Sequence, residues 1–171
     1  MDFKEKIRSI KDYPKEGITF RDITTLLKDG EAFREAIDAM KDLVKDEAID
    51  KVVGIEARGF ILGAPLAYDL GVGFVPIRKP GKLPADTHSA EYELEYGSDT
   101  VEMHVDAIEK GEKVLIVDDL LATGGTGSAA VEICKNAGAD VVGRLVLIEL
   151  DGLNGRDKMP VPVYSLMEFP A

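Results

Sequence analysis

Cysteine is nearly missing from this chain. Cys134 stands alone among 171 residues, which excludes an internal disulfide. It falls on the apolar face of a predicted helix, where a single thiol serves as a small core residue. Long apolar runs are absent too: none approaches the roughly 20 residues of a membrane-spanning helix. The charged start Met1-Asp-Phe-Lys-Glu-Lys6 lacks the apolar centre of a secretion signal. No membrane association is expected, and a cytoplasmic location is the expectation that follows. Histidine is scarce, and His88 and His104 have no partners at metal-ligand spacing. Positive charge is in deficit. A net charge of −11 argues against nucleic-acid binding, which rests on neutralising many phosphates. The excess acid is distributed (Asp46, Glu47 and Asp50; Glu91, Glu93 and Glu95) rather than gathered in a tail, and there is no internal repeat or low-complexity segment.

What is present suits one compact domain spanning residues 1–171, with 45% hydrophobic residues. Strand-like and helix-like patterns alternate. Residues 31–46 carry Phe33, Ile37, Met40 and Val44 on one helical face, and Val52-Val-Gly-Ile55 reads as a short buried strand. Residues 60–70 read as a crossover helix despite Pro65, and 73–77 as the next strand. Residues 79–100, rich in Pro, Gly and charge, read as a hairpin-like flap, and 104–110 as a short helix. Residues 141–150 form another long apolar strand, and 161–167 an edge strand. The alternation predicts an α/β fold: one doubly wound, mainly parallel sheet flanked by helices, with residues 1–30 as a hood over its carboxyl edge.

The most informative segment is Val114-Leu-Ile-Val-Asp-Asp-Leu-Leu-Ala-Thr-Gly-Gly-Thr126. Four consecutive apolar residues, three of them β-branched, indicate a strand buried on both faces. Asp118 and Asp119 follow where that strand should emerge, and then a loop of Ala122, Thr123, Gly124, Gly125 and Thr126. Ala130, Ile133, Cys134 and Ala137 continue at helical spacing. In open α/β sheets ligands bind beyond the carboxyl ends of strands, where a helix start offers free amides and partial positive charge. Small and hydroxyl-bearing residues there can wrap a phosphate. Paired carboxylates accept hydrogen bonds from vicinal sugar hydroxyls, or hold Mg2+ through its waters. A P-loop is excluded, because Gly127-Ser128 follows without the required Lys, and the glycine spacing is not that of a dinucleotide fold. Taken without further context, the two acids are also compatible with solvated residues at a helix start.

The segment resembles the phosphoribosyl-pyrophosphate motif of type I phosphoribosyltransferases, in the variant found in the adenine-using branch of that family. Gly17-Ile-Thr-Phe-Arg-Asp-Ile23 is similar to the family's base-binding segment, and Glu56-Ala-Arg-Gly-Phe60 to its pyrophosphate segment. Ile77-Arg-Lys-Pro-Gly-Lys-Leu-Pro84 and Leu94-Glu-Tyr-Gly97 resemble the two ends of its mobile loop. These segments occur in the family's order over nearly the whole chain.

The resemblance implies an enzyme that converts adenine and 5-phosphoribosyl 1-pyrophosphate to AMP and pyrophosphate with Mg2+, acting as a homodimer. It implies that Asp118 and Asp119 hold the ribose hydroxyls and, through water, the metal, while residues 122–126 cradle the 5′-phosphate. Arg58 and the Ala57 turn would meet pyrophosphate, with a cis peptide expected between Glu56 and Ala57 and close backbone approach at Gly59. Phe20 would stack on the base, backbone groups of Thr19 and Arg21 would read its edge, and Leu120 would close the other side. Lys79 and Lys82 would neutralise the leaving group, Glu95 would take a proton from adenine, and Tyr96 would cover the site. A family member acting on hypoxanthine or xanthine is the catalytic alternative. A phosphoribosyl-pyrophosphate sensor is the non-catalytic one, although the acidic chain adds no DNA-binding domain.

Overall fold

The computed structural model describes residues 1–93 and 97–171. Its centre is a five-stranded, wholly parallel sheet of β3 (Lys51–Ile55), β4 (Gly73–Ile77), β7 (Lys113–Leu121), β8 (Asp140–Asp151) and β9 (Val163–Pro170), in the order β4-β3-β7-β8-β9. Two antiparallel ribbons stand outside it: β1 (Arg8–Lys11) with β2 (Thr19–Asp22), and β5 (Thr87–Glu93) with β6 (Ser98–His104). The helices are α1 (Thr24–Leu27), α2 (Gly30–Leu43), α3 (Arg58–Leu70) and α4 (Gly125–Asn136).

Strand alternation splits the core into two layers. Leu115 and Val117 of β7 face a cluster containing Ala36, Ile37 and Met40 of α2 and Leu62 and Leu66 of α3. Val114 and Ile116 face the other, built from Ala130, Ile133 and Cys134 of α4 and Ala90, Val101 and Met103 of the β5-β6 ribbon. Both faces of the central strand are thus buried, which is why its sequence runs as continuous apolar residues instead of alternating. Burial pushes the Cys134 thiol up to about 12, so it is an inert core residue.

Helix boundaries follow local chemistry. The Asp29 carboxylate accepts the Ala32 N–H at 3.2 Å and caps α2, which ends at Leu43, three residues short of the expected limit. α3 starts at Arg58, two residues earlier than its pattern suggests, and runs through Pro65. The expected helix over 104–110 does not form: β6 ends at His104 and turns follow. Seven residues are too few to nucleate a helix unaided. Here the Val105 N–H is taken by the Asp86 carbonyl at 2.9 Å and the Glu109 N–H by Glu112 Oε1 at 2.7 Å.

The parallel arrangement directs the carboxyl ends of β3, β4 and β7 to one edge. At that edge β3 turns into α3 and β7 turns into α4, so two loop-to-helix junctions lie side by side. The β1-β2 ribbon reaches the same region through Phe20, and the β5-β6 ribbon through Tyr92 and Val101.

Candidate active site

A cavity of about 300 Å³ opens at this edge, lined by Glu56, Ala57 and Arg58 from the β3 turn, Arg78 and Lys79 after β4, and Asp118 and Asp119 from β7. A second, of about 190 Å³, continues from the same acids into the loop of Ala122, Thr123, Gly124, Gly125 and Thr126. The peptide between Glu56 and Ala57 is cis, as expected, and Tyr13–Pro14 is cis as well. Gly59 does allow close approach, but the neighbour is protein: a Cβ there would lie 2.9 Å from the Val117 carbonyl oxygen. Its bareness packs the start of α3 against β7 and thereby sets Arg58 beside the acids.

The acids are not equivalent. Asp119 is buried and its Oδ2 accepts a short hydrogen bond from Arg58 Nε. Asp118 is recessed beside the Arg144 guanidinium, with Nη2 3.5 Å from its Oδ2. Burial and the adjacent Asp119 charge push the Asp118 carboxyl up to about 8, with Arg144 pulling the other way. A divalent cation beside this pair would favour the ionised form of Asp118, which burial and the Asp119 charge oppose. Among the described residues no group of three His, Cys, Asp or Glu side chains could hold a metal. An adjacent carboxylate pair without a full protein cage suits Mg2+, which keeps several waters and binds through one or two carboxylates plus substrate phosphates.

The 122–126 loop is shaped by backbone geometry. Gly124 has φ of 93°, a left-handed conformation that L side chains rarely adopt, and it turns the chain into α4. No side chain caps this start, so the first amides of α4 remain available to an anion.

Around the β3 turn, charge is held in pairs. Glu56 accepts from Lys82 Nζ at 2.5 Å, from the Lys79 N–H at 2.9 Å and from Arg78 Nε at 3.3 Å. Burial opposes its ionisation, yet these donors hold its carboxyl below the usual range. Lys79 Nζ bonds Asp99 Oδ2 at 2.5 Å and the Tyr92 hydroxyl at 2.7 Å. Burial works against the Lys79 charge, but those partners leave its pKa raised. Both flap lysines therefore stand at the site's rim already paired with acids, rather than free to meet a phosphate.

On the β1-β2 ribbon, Phe20 packs edge-to-face with Tyr13 at 5.4 Å, and the Arg58 guanidinium lies 5.9 Å from its ring centre. The Arg21 side chain points to structure instead: it bonds Ser9 Oγ at 2.6 Å and the Pro170 carbonyl at 3.0 Å and stacks over Phe169. At Arg21 the side chain is thus spent on structure. Leu120 is half-buried against the α2/α3 core layer, and its carbonyl accepts from Arg144 Nη2 at 3.2 Å. Glu95 and Tyr96 lie outside the described residues. The structure thus gathers Phe20, Ala57, Arg58, Asp118, Asp119 and residues 122–126 at one edge, with Lys79 and Lys82 at its rim.

Sequence reasoning missed Arg144, Tyr92 and Asp99. For Arg144 a signal existed: a charge flanked by apolar residues within a buried strand, which burial makes costly without a purpose. For Tyr92 and Asp99 there was none, since their pairing with Lys79 depends on the ribbon register that sets Tyr92 opposite Asp99.

Comparison with known proteins agrees with this geometry. The family model described as "Phosphoribosyl transferase domain" matches residues 22–167. The chain is similar to an adenine phosphoribosyltransferase of Synechococcus sp., with 58% identity over 99% of each chain. It also resembles the crystal structure of the adenine phosphoribosyltransferase of Thermoanaerobacter pseudethanolicus, with 51% identity, 98% of both chains covered and a TM-score of 0.96. A third match is the Saccharomyces cerevisiae enzyme complexed with an imino-altritol bisphosphate and adenine, with 41% identity, 96% of both chains covered and a TM-score of 0.92.

Proposed function

The chain belongs to the phosphoribosyltransferase family, and from that premise we propose that it transfers the 5-phosphoribosyl group of phosphoribosyl pyrophosphate to adenine, yielding AMP and pyrophosphate. The observation that carries this reading is the meeting, at one sheet edge, of a phosphate loop, two carboxylates and an arginine-bearing turn. A sugar carrying phosphate at one end and pyrophosphate at the other spans these features in order.

In the reaction a bond forms between an adenine ring nitrogen and ribose C1 as the C1–oxygen bond to pyrophosphate breaks. Positive charge develops on the sugar, and negative charge on the leaving group. The amides at the start of α4 hold the 5′-phosphate, and Asp118 and Asp119 accept hydrogen bonds from the ribose hydroxyls. Arg58, fixed by Asp119, directs its remaining donors at pyrophosphate oxygens. Lys79 and Lys82 reach the leaving group by exchanging their carboxylate partners for phosphate. Phe20 stacks on the purine, and stacking contributes about 1–3 kcal/mol for any base, so choice of adenine falls to backbone groups at Thr19 and Arg21. By motif resemblance, Glu95 would accept the adenine proton and Tyr96 would cover the site. Asp118 and Asp119 would hold Mg2+ through water, and the ion would supply charge neutralisation for the departing pyrophosphate.

We also propose a cytoplasmic homodimer. Among the described residues no helix is long and apolar enough to cross a membrane. Exposed Ile61 and Tyr68 give α3 an apolar outer face for a second copy, which light scattering after gel filtration would register as doubled mass.

The function is tested by turnover of phosphoribosyl pyrophosphate with adenine, hypoxanthine, guanine, xanthine or orotate supplied in turn. Turnover with adenine alone is expected. Turnover only with another base would reject the base assignment while leaving the phosphate site intact.

A further inference from the structure

One charged side chain inside the fold has no part in the account above. Arg144 sits on β8 between Ile116 of β7 and Val163 of β9, on the sheet face covered by α4. It is 2% exposed. Its Nη2 is engaged by the Leu120 carbonyl at 3.2 Å and lies 3.5 Å from Asp118 Oδ2. Its Nε and Nη1 have no hydrogen-bond partner among the described residues. The guanidinium lines the smaller cavity together with the 122–126 loop.

Its position relative to that loop is close. A Cβ on Gly127 would overlap Nη1 of Arg144 and approach its central carbon. Gly127 is therefore bare because the guanidinium occupies the space under the first turn of α4. A buried guanidinium with donors unspent is costly unless an anion completes it. One carboxylate at 3.5 Å does not complete it, and the nearest place for another anion is the loop above. Burial weakens the Arg144 charge and the Asp118 and Asp119 carboxylates oppose that loss, so the charge persists.

We propose that Arg144 is a positioning residue for the substrate's 5′-phosphate. It supplies a buried positive charge beneath the 122–127 segment and anchors the end of β7, from which that segment departs, through the Leu120 carbonyl. The helix start gives oriented amides but only partial charge, and the site's acids repel a phosphate; a full charge beneath the loop reverses that balance. Arg58 acts at the opposite end of the sugar, so the two arginines divide the substrate's phosphates between them. This inference rests on the phosphoribosyl-transfer reading.

The test compares calorimetric binding of AMP and adenosine, which differ only in the 5′-phosphate, to the wild-type protein and to Arg144→Gln and Arg144→Lys. Wild-type preference for AMP over adenosine is the prior condition, and its absence would reject the phosphoribosyl-transfer reading itself. Given that preference, Arg144→Gln should weaken AMP by about tenfold or more while leaving adenosine unchanged. Arg144→Lys, which keeps the charge, should restore most of the AMP preference. Equal weakening of both ligands would mean a merely structural role, and unchanged AMP binding would mean no role; either overturns the proposal. If the Gln variant does not fold, Arg144→Met, which removes the charge within an apolar layer, takes its place with the same expected and overturning results.

Discussion

Replacing Gly155 with alanine should damage phosphate binding although Gly155 lies outside the candidate site. Its backbone is ordinary, with φ of −61° and ψ of −35°, so alanine meets no conformational penalty there. The obstacle is contact. An added Cβ would overlap the Ala122 carbonyl oxygen and stand 3.1 Å from Leu121 Cδ1. Ordinary van der Waals spacing requires a shift of about 1 Å. The 151–158 loop or the 122–126 loop has to move. Overpacking of this kind costs about 1–3 kcal/mol, which for a chain of this length lowers the melting temperature by roughly 2–12 °C. A displacement of about 1 Å in a positioning loop can cost on the order of a hundredfold in catalysis. Steady-state kinetics should therefore show a raised KM for phosphoribosyl pyrophosphate with little change in the KM for adenine. Gly152→Ala is the control. It sits in the same loop at φ of 89° with nothing within 4 Å of an added Cβ. The left-handed conformation costs alanine about 1–2 kcal/mol, so this variant should melt earlier yet keep its KM values. If Gly155→Ala matches Gly152→Ala in kinetics, the 151–158 loop does not set the phosphate loop and the reasoning fails.

Three other outcomes follow from the site's electrostatics. Asp118 titrates above its unfolded value, so in metal-free buffer it binds a proton that the unfolded chain has lost between about pH 4 and pH 8; stability falls as pH rises through that window. Asp118→Asn should raise stability at pH 7.5 by on the order of 1 kcal/mol or more, read from denaturant melts, and abolish turnover. Glu149 behaves in the opposite sense, because hydrogen bonds from Arg156 hold its carboxyl low against burial. Its contribution is present above the ordinary glutamate value of 4.5 and is lost as pH falls through the lowered one. Glu149→Gln should thus cost at most about 1 kcal/mol at pH 7, since Arg156 is half-exposed, and the difference from wild type should vanish in acid melts. Glu56→Gln frees Lys82 from its carboxylate, so pyrophosphate should inhibit the variant at roughly threefold lower concentration; unchanged inhibition would separate Lys82 from the leaving group.

The fold was legible where burial leaves a periodic trace. The apolar runs over β3, β7 and β8 announced strands covered on both faces, and the helical face of Phe33, Ile37, Met40 and Val44 announced α2. Residues 104–110 misled because their composition permits a helix while tertiary bonds from Asp86 and Glu112 claim the same amides. Within the site, the phosphate loop and the two acids could be read because they are contiguous in sequence. Arg58 joins Asp119 from 61 residues away, a pairing that only the parallel adjacency of β3 and β7 creates. The capture of Lys82 by Glu56 and of Lys79 by Asp99 was hidden for the same reason. Arg144 was passed over inside an apolar run, because hydrophobic periodicity averages away an isolated charge within it.

The central claim is that this single edge couples departure of pyrophosphate to attack by adenine. Its most direct test is the product ratio when phosphoribosyl pyrophosphate and adenine are supplied with Mg2+, with AMP and pyrophosphate quantified together by chromatography. The account predicts equal amounts of both, loss of both with a chelator, and no pyrophosphate release when adenine is withheld. Pyrophosphate released without AMP, or at the same rate in the absence of adenine, would show a site that hydrolyses the sugar rather than transferring it.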